Sequence, residues 1–325
     1  MWDDRAAILA NRDVVGNEPL TKLFSHDFWG QDITLSDSHK SYRPITVLSF
    51  RINYFFHGLS AAGFHASNVV IHGVSSIFYY WWVCQWVHDS YTPKVAAVLF
   101  VTHPIHVEAV ASLVGRADSL SGAFFFLALF TYTKSLRWKG STWIFFVFQI
   151  AAHLAALASS FSKEVGVTVY GVFVVLEVAE EMNIFRSASL LTKFNKDCGP
   201  SNDALFRWLS HIRNHADGIK IAAKFVRICA SILVLALIML LRRSLSGGQG
   251  LYQWTVLENH VSLMHDFTHR SLSYAQTHFW YLAKLVFPRY LCFDYGYACI
   301  PTVHSTVDPR NLLPLAGGWV QYSSI

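Results

Sequence analysis

Long apolar runs separated by short polar turns dominate this chain, and their lengths predict helices that cross a bilayer. A helix needs about 20 mostly apolar residues to span the hydrocarbon core. Six stretches meet or approach that length: Asn68–His88, Val95–Gly115, Asp118–Leu136, Thr142–Ser160, Val165–Ala179 and Phe225–Leu241. A seventh, His278–Phe293, is shorter and interrupted by Lys284 and Pro288. It reads as an interfacial or re-entrant segment rather than a span. Tyr79, Tyr80, Trp81, Trp82 and Trp86, then Trp138 and Trp143, then Trp254, Trp280 and Tyr281 lie near segment ends. Amphipathic rings favour the headgroup region. Residues 1–10 lack the apolar core of a cleavable signal.

Composition agrees. Of 325 residues, 53% are hydrophobic, 15% aromatic and only 14% charged, with a mean hydropathy of +0.32. A soluble domain carries about 25% charged residues, so lipid is the main solvent here. An ordinary cytosolic enzyme, a disordered chain and a collagen-like repeat are excluded. The net charge of +5 is modest and the bases are scattered, so nucleic acid is not an expected partner. Five cysteines form no C-x-x-C pair, which removes the zinc and thioredoxin-like motifs. Cys292 and Cys299 would pair only in an oxidising lumen.

Charge also sets orientation. Lys134, Arg137 and Lys139 share one loop with no acid, and residues 180–224 are rich in Lys and Arg, so both loops are expected in the cytosol. Residues 1–67, the turns 115–118 and 161–164, and the loop 242–277 then share the opposite face. Arg242 and Arg243 on that face run against the rule. The expected organisation is a non-cytosolic loop over 1–67, five helices over 68–180, a cytosolic loop over 181–224, and a further helix, loop and interfacial segment over 225–325.

The polar face holds the candidate chemistry. Asp3-Asp4-Arg5 sets two carboxylates beside a cation, an arrangement suited to taking a proton from an alcohol, although a solvated charge cluster is the plainer alternative. Ser38-His39-Lys40-Ser41-Tyr42-Arg43-Pro44 packs His, Lys and Arg with two hydroxyls into seven residues. Such a group suits a phosphate, or equally a lipid headgroup. Each tight turn carries an opposite-charge pair: Arg116 with Asp118, and Lys163 with Glu164. Within a span, His103-Pro104-Ile105-His106-Val107-Glu108 puts ionisable groups where they are costly and usually face a partner or cavity. His103 and His106 with Glu108 as third ligand would suit a metal site, and hydrogen bonds from these residues to neighbouring helices explain them equally well.

These blocks occur in one order. Asp3-Asp4-Arg5-Ala6-Ala7-Ile8, His26-Asp27-Phe28-Trp29-Gly30, Ser38 to Pro44, His103 to Ala109, Gly115-Arg116-Ala117-Asp118, Ser162-Lys163-Glu164 and Phe293-Asp294-Tyr295 with Ile300-Pro301 together resemble the transmembrane and tetratricopeptide-repeat-containing family, from residue 2 to about 310. The resemblance implies an all-α polytopic membrane protein, a GT-C-like helical bundle with a long luminal first loop, in the endoplasmic reticulum membrane. It implies transfer of mannose from dolichyl-phosphate mannose to Ser or Thr of secretory-pathway proteins such as cadherins. Asp3 or Asp4 would be the general base of a single inverting displacement. Lys40, Arg43, Arg116 and Lys163, with His39 in support, would meet the phosphate charge, while Asp118 and Glu164 would orient those cations or bind sugar hydroxyls. The lipid donor and the bilayer are then the non-protein partners, and no cofactor or metal is needed because the leaving group is a monophosphate.

Two departures stand beside the resemblance. The family has a membrane helix before the Asp-Asp motif and an array of ~34-residue repeats after the membrane domain. Neither is found between Met1 and Ile325, so the chain is expected to be a fragment of the membrane domain. The rival readings are a multispanning transporter lined by His106 and Glu108, and a non-catalytic membrane scaffold. No internal symmetry of the kind transporters show is visible in the sequence.

Overall fold

The computed structural model describes residues 2–16, 18–87, 89–138, 140–181, 215–245, 255–292, 295 and 299–312. Most of the expected cytosolic loop 181–224, Lys139, His88, residues 246–254 and most of the Phe293–Ala298 block lie outside the described residues. The rest is all-α. Its principal helices are α1 (Pro44–His57), α2 (Ala61–Val83), α3 (Thr92–Thr102), α4 (Arg116–Arg137), α5 (Thr142–Ser162), α6 (Val169–Glu181), α7 (His215–Leu245) and α8 (Phe267–Val286). They belong to two compact units, one of residues 1–102 and 109–249, the other of residues 103–108 and 250–325.

The first unit differs from a soluble protein in its surface, which is apolar over much of its extent. Many of the buried residues of α4 and α5 are small: Ser121, Ala123 and Ala128 on α4, Ala152, Ala156 and Ser159 on α5, beside the larger Leu129 and Tyr132 of α4. Ser159 Oγ donates to the Ser121 carbonyl at 2.8 Å, and Ser121 Oγ reaches the Ser159 carbonyl at 3.1 Å. Small residues let helix backbones approach, and hydroxyls bond across them, as in lipid-embedded helix pairs. Many large apolar side chains nonetheless face outward: Val69, Ile77, Trp143, Ile150, Leu154 and Leu237 are all exposed. Lipid is the solvent such a surface requires. This chain is a membrane protein. Among the described residues, Thr142–Ser162 and Ala222–Leu245 are long and apolar enough to cross a membrane, and Thr92–Thr102 with Pro104–Ala111 would do so as a broken span.

Several expected boundaries change. The run Val95–Gly115 is not one helix. Its first part ends at Thr102, a 3₁₀ turn follows over Pro104–His106, and a single α turn covers Val107–Ala111. Proline disfavours helical geometry in the residue before it, and His103 is extended at φ −66°, ψ 126°. The stretch Val165–Ala179 starts as a 3₁₀ turn, Glu164–Thr168, leaving 13 residues of α6. At about 1.5 Å per residue that covers roughly 20 Å, short of a full span. The last apolar segment begins at Phe267 rather than His278, because Asp266 caps it by accepting from the Thr268 and His269 amides. Cys292 and Cys299 are free thiols.

The first 67 residues are more ordered than a loop. Pro44 opens α1 in the position where its missing N–H costs least. Gly58, at φ 56°, closes the helix in the left-handed region. Ahead of α1, Ala7, Ile8, Val14, Leu23 and Phe28 form a core with Val47 and Phe50 of α1, Phe64 of α2, and Leu113. Two buried polar side chains hold this segment's shape. Asn11 Nδ2 donates to the carbonyls of Ala7 and Phe28, both at 3.2 Å. Asp27 accepts from the Trp29 and Gln31 amides and, through its other oxygen, from Ser38 Oγ at 2.7 Å.

Candidate active site

Three segments of the first unit converge where α5 ends. Thr46 Oγ1 of α1 donates to the Ser162 carbonyl at 2.7 Å, which fixes the start of α1 against the end of α5. Lys163 is extended, and the 3₁₀ turn from Glu164 folds back so closely that a Cβ at Gly166 would overlap the Ser159 carbonyl. This geometry holds Lys163 and Glu164 at the mouth of the α4–α5 seam. The end of α7 brings Arg242.

The charged groups then meet. Arg43 donates through Nε to Glu164 Oε2 at 2.9 Å, with Nη2 also 2.9 Å from that oxygen. Its guanidinium lies 5.0 Å from the centre of the Phe28 ring. Arg242 Nη1 is 3.6 Å from the other oxygen of Glu164, while Nη2 donates to the carbonyls of Tyr42, at 3.1 Å, and Ser160. Lys163 Nζ sits 2.6 and 2.7 Å from the two oxygens of Asp118, in the first turn of α4. Two guanidiniums and an ammonium thus share two carboxylates, and these five side chains sum to one positive charge. Glu164 Oε1 accepts no hydrogen bond. Beside the cluster, burial pushes the Tyr42 phenol upward in pKa, against the pull of Arg242, and its OH donates to the Phe24 carbonyl.

The structure thus brings together Arg43, Asp118, Lys163 and Glu164 from the sequence-based set. Two other expected phosphate ligands are occupied by the protein itself. Lys40, at φ 57°, turns its ammonium onto the carbonyls of Ile33 and Leu35, each at 2.7 Å, and so closes its own loop. Arg116 is 1% exposed, enclosed by the Phe50 and Phe64 rings at 4.6 and 5.4 Å. Its Nε donates to Asn68 Oδ1 at 2.6 Å and its Nη2 to the Phe64 carbonyl at 2.8 Å. Lys40 is therefore a loop tie and Arg116 a packing element between helices. His39 is exposed, with its ring 5.9 Å from that of Trp29.

Asp3 and Asp4 sit on a short N-terminal helical turn, Asp3 exposed and Asp4 half-buried. The core beneath them reaches the cluster. Ala7 and Ile8 share a core with Phe28, on whose ring Arg43 rests. His103, His106 and Glu108 belong to the second unit. His103 Nε2 lies 2.9 Å from the Leu285 carbonyl, so that nitrogen carries the proton, and Nδ1 accepts from the Ile105 amide. Its ring is 6.2 Å from that of His106. Among the described residues no three His, Cys, Asp or Glu side chains gather as metal ligands.

Arg242 is the site residue that the sequence reading missed. It stood out only as a base at the wrong end of a span, and that misplacement is the signal. A second buried pair also went unnoticed. Near the start of the apolar part of α7, Arg227 grips Glu177 of α6 through Nε at 2.6 Å and Nη2 at 2.8 Å, and Tyr132 OH of α4 donates to the same carboxylate at 2.9 Å.

Comparison with known proteins bears on the family. A family model described as Protein O-mannosyl-transferase TMTC, DUF1736, matches residues 248–320. The chain is 32% identical over 342 residues to the mouse protein named Protein O-mannosyl-transferase TMTC4, covering 98% of this chain and 44% of the relative. It is 32% identical over 321 residues to mouse Protein O-mannosyl-transferase TMTC3, covering 97% and 32%. The Caenorhabditis elegans protein named Protein O-mannosyl-transferase F38B6.6 is 30% identical over 318 residues, covering 97% and 39%. The chain spans less than half the length of these curated relatives. No solved structure matches it. Similarity to these relatives along nearly all of its length, and the match of the family model to its last quarter, mean that this chain belongs to the TMTC family of membrane proteins.

Proposed function

We propose that this chain is membrane machinery of a protein O-mannosyltransferase, acting on a polypeptide acceptor with a lipid-linked mannose donor. The observation that carries the reading is the convergence of Arg43, Arg242 and Lys163 on Glu164 and Asp118 where α5 ends. Cations preorganised where negative charge develops are the main electrostatic requirement of a transfer whose leaving group is a phosphate. The relatives' names supply the sugar and the protein acceptor.

The donor in this reading is dolichyl-phosphate mannose, and the membrane is that of the endoplasmic reticulum. The acceptor Ser or Thr oxygen attacks the anomeric carbon of mannose. The new C–O bond forms as the bond from that carbon to the phosphate oxygen breaks, with inversion. The hydroxyl proton passes to the carboxylate of Asp3 or Asp4, and dolichyl phosphate leaves carrying the bond electrons. Arg43 and Arg242 meet the phosphate, Glu164 keeps the two guanidiniums side by side, and the Lys163–Asp118 pair borders the sugar. No step calls for a metal. Cadherin domains are the acceptor class to try first.

Membranes containing the chain, incubated with dolichyl-phosphate mannose and a cadherin-domain acceptor, are expected to yield mannosylated Ser or Thr by mass spectrometry. Asp3→Asn combined with Asp4→Asn is expected to abolish that product. Transfer that survives the double substitution would remove these residues as the base. No transfer by the chain, either alone or within a full-length relative carrying its sequence, would overturn the transferase reading.

A further inference from the structure

Helix α8 leaves one stripe uncovered. Tyr274, His278, Tyr281, Leu282 and Leu285 follow one another at helical spacing, and all are exposed. Val286 at the end of the helix, and Phe287 and Tyr290 beyond it, extend the exposed run, at 68%, 51% and 85%. The opposite face is occupied. Ser273 and Gln276 are buried there, and Ser273 Oγ accepts the amide of the fully buried Val303 at 2.9 Å.

We propose that this stripe lies flat in the headgroup region of an anionic bilayer, parallel to the membrane plane. Length alone would permit a crossing, since 20 residues make about 30 Å of helix. The sequence of the helix does not. Its first half carries Thr268, His269, Arg270 and Ser271, and a transverse placement would put a guanidinium and several polar groups into hydrocarbon. Tyrosines on the exposed stripe prefer the boundary between water and lipid.

Charge identifies the lipid. From Phe267 to Cys292 there is no Asp or Glu, while Arg270, Lys284 and Arg289 are all present. Lys284 is turned back onto the carbonyls of Arg289 and Tyr290, at 3.2 and 3.1 Å, and so terminates the helix. Arg270 and Arg289 flank the stripe at its two ends. A basic amphipathic helix with aromatic and aliphatic side chains on its apolar face is the form that binds an anionic surface in plane. This inference is independent of the transferase reading.

The test uses the whole chain reconstituted in vesicles, with a fluorophore on single cysteines at positions 274, 278, 282 or 285 and the native cysteines replaced by serine. Quenching by lipids brominated at different depths reports where each label sits. Equal, shallow depths at all four positions are expected, with the buried Gln276 left unlabelled and each labelled variant resisting detergent unfolding as the unlabelled protein does, which verifies that the helix has kept its packing. A steady gradient of about 16 Å from 274 to 285 would mean that the helix crosses the bilayer, and would overturn the proposal. Absence of lipid quenching along the stripe would mean that protein covers it, with the same consequence. Arg270→Glu with Arg289→Glu is expected to reduce quenching in vesicles of phosphatidylcholine with phosphatidylinositol, and to change it little in phosphatidylcholine alone. An effect of equal size in both would remove the anionic headgroup as partner.

Discussion

Two arginines on one helix make opposite use of a glutamate. Near the start of the apolar part of α7, Arg227 holds Glu177 through two short hydrogen bonds, and Tyr132 supplies a third. One cation meets one anion and the carboxylate is 3% exposed. At the far end of the same helix, Arg242 stands 3.6 Å from Glu164, a carboxylate that it shares with Arg43 and that is 39% exposed. The first contact is closed and balanced. The second is open, with two cations on one anion. A closed pair inside a helix bundle fixes geometry, whereas an open, cation-rich one retains capacity for an incoming anion. In the proposed function the first contact is scaffold and the second belongs to the site.

The comparison breaks most readily at the closed pair. Removing one partner leaves a buried charge uncompensated, which costs about 3–5 kcal/mol. Glu177→Ala or Arg227→Ala is therefore expected to lower resistance to unfolding by denaturing detergent sharply. Replacing both by apolar residues of similar volume is expected to recover most of that loss, as balanced buried pairs do. If the double replacement is as damaging as the single ones, the pair is doing more than holding helices together.

Arg242→Ala should show the reverse pattern. Loss of one preorganised donor at a developing anion lowers turnover by roughly 10²–10³-fold, and mannose transfer is expected to fall by that order with a smaller loss of stability than at Arg227. Equal destabilisation at the two arginines would erase the distinction. The finest resolution comes from Lys163 and Asp118, exposed at 26% and 47%. Exposed pairs of this kind contribute about 0.2–1 kcal/mol. Lys163→Met is thus expected to leave unfolding nearly unchanged while raising the KM for the lipid donor.

How far the sequence carried depended on the range of the interaction. Apolar run length located α2, α4, α5 and the apolar part of α7, because one solvent acts on every residue of a span. Motif density drew attention to Arg43, Lys163 and Glu164, which are close along the chain to other marked residues. It also drew attention to Lys40 and Arg116, whose hydrogen bonds to Ile33, Leu35 and Asn68 depend on how the backbone folds back on itself. Nothing local distinguishes an arginine that will face a ligand from one that will be enclosed by Phe50 and Phe64. Helix α1 escaped notice because its buried positions, among them Thr46, Val47, Phe50 and Asn53, mix polar with apolar side chains. Arg242 escaped because its partner is Glu164, on a different helix turn far back along the chain.

One consequence concerns length rather than composition. Fifteen residues separate Arg227 from Arg242, about 22 Å along a continuous helix. Both arginines hold glutamates on the single stretch running from the end of α5 through α6. The stretch of α7 between them therefore works as a gauge bar, bolted at one end and carrying its contact point at the other. Apolar substitutions along that bar leave the gauge intact. Deleting or inserting one residue swings the contact point by about 100° and moves it by about 1.5 Å, which would take Arg242 off Glu164 while the bolt at Arg227 still held.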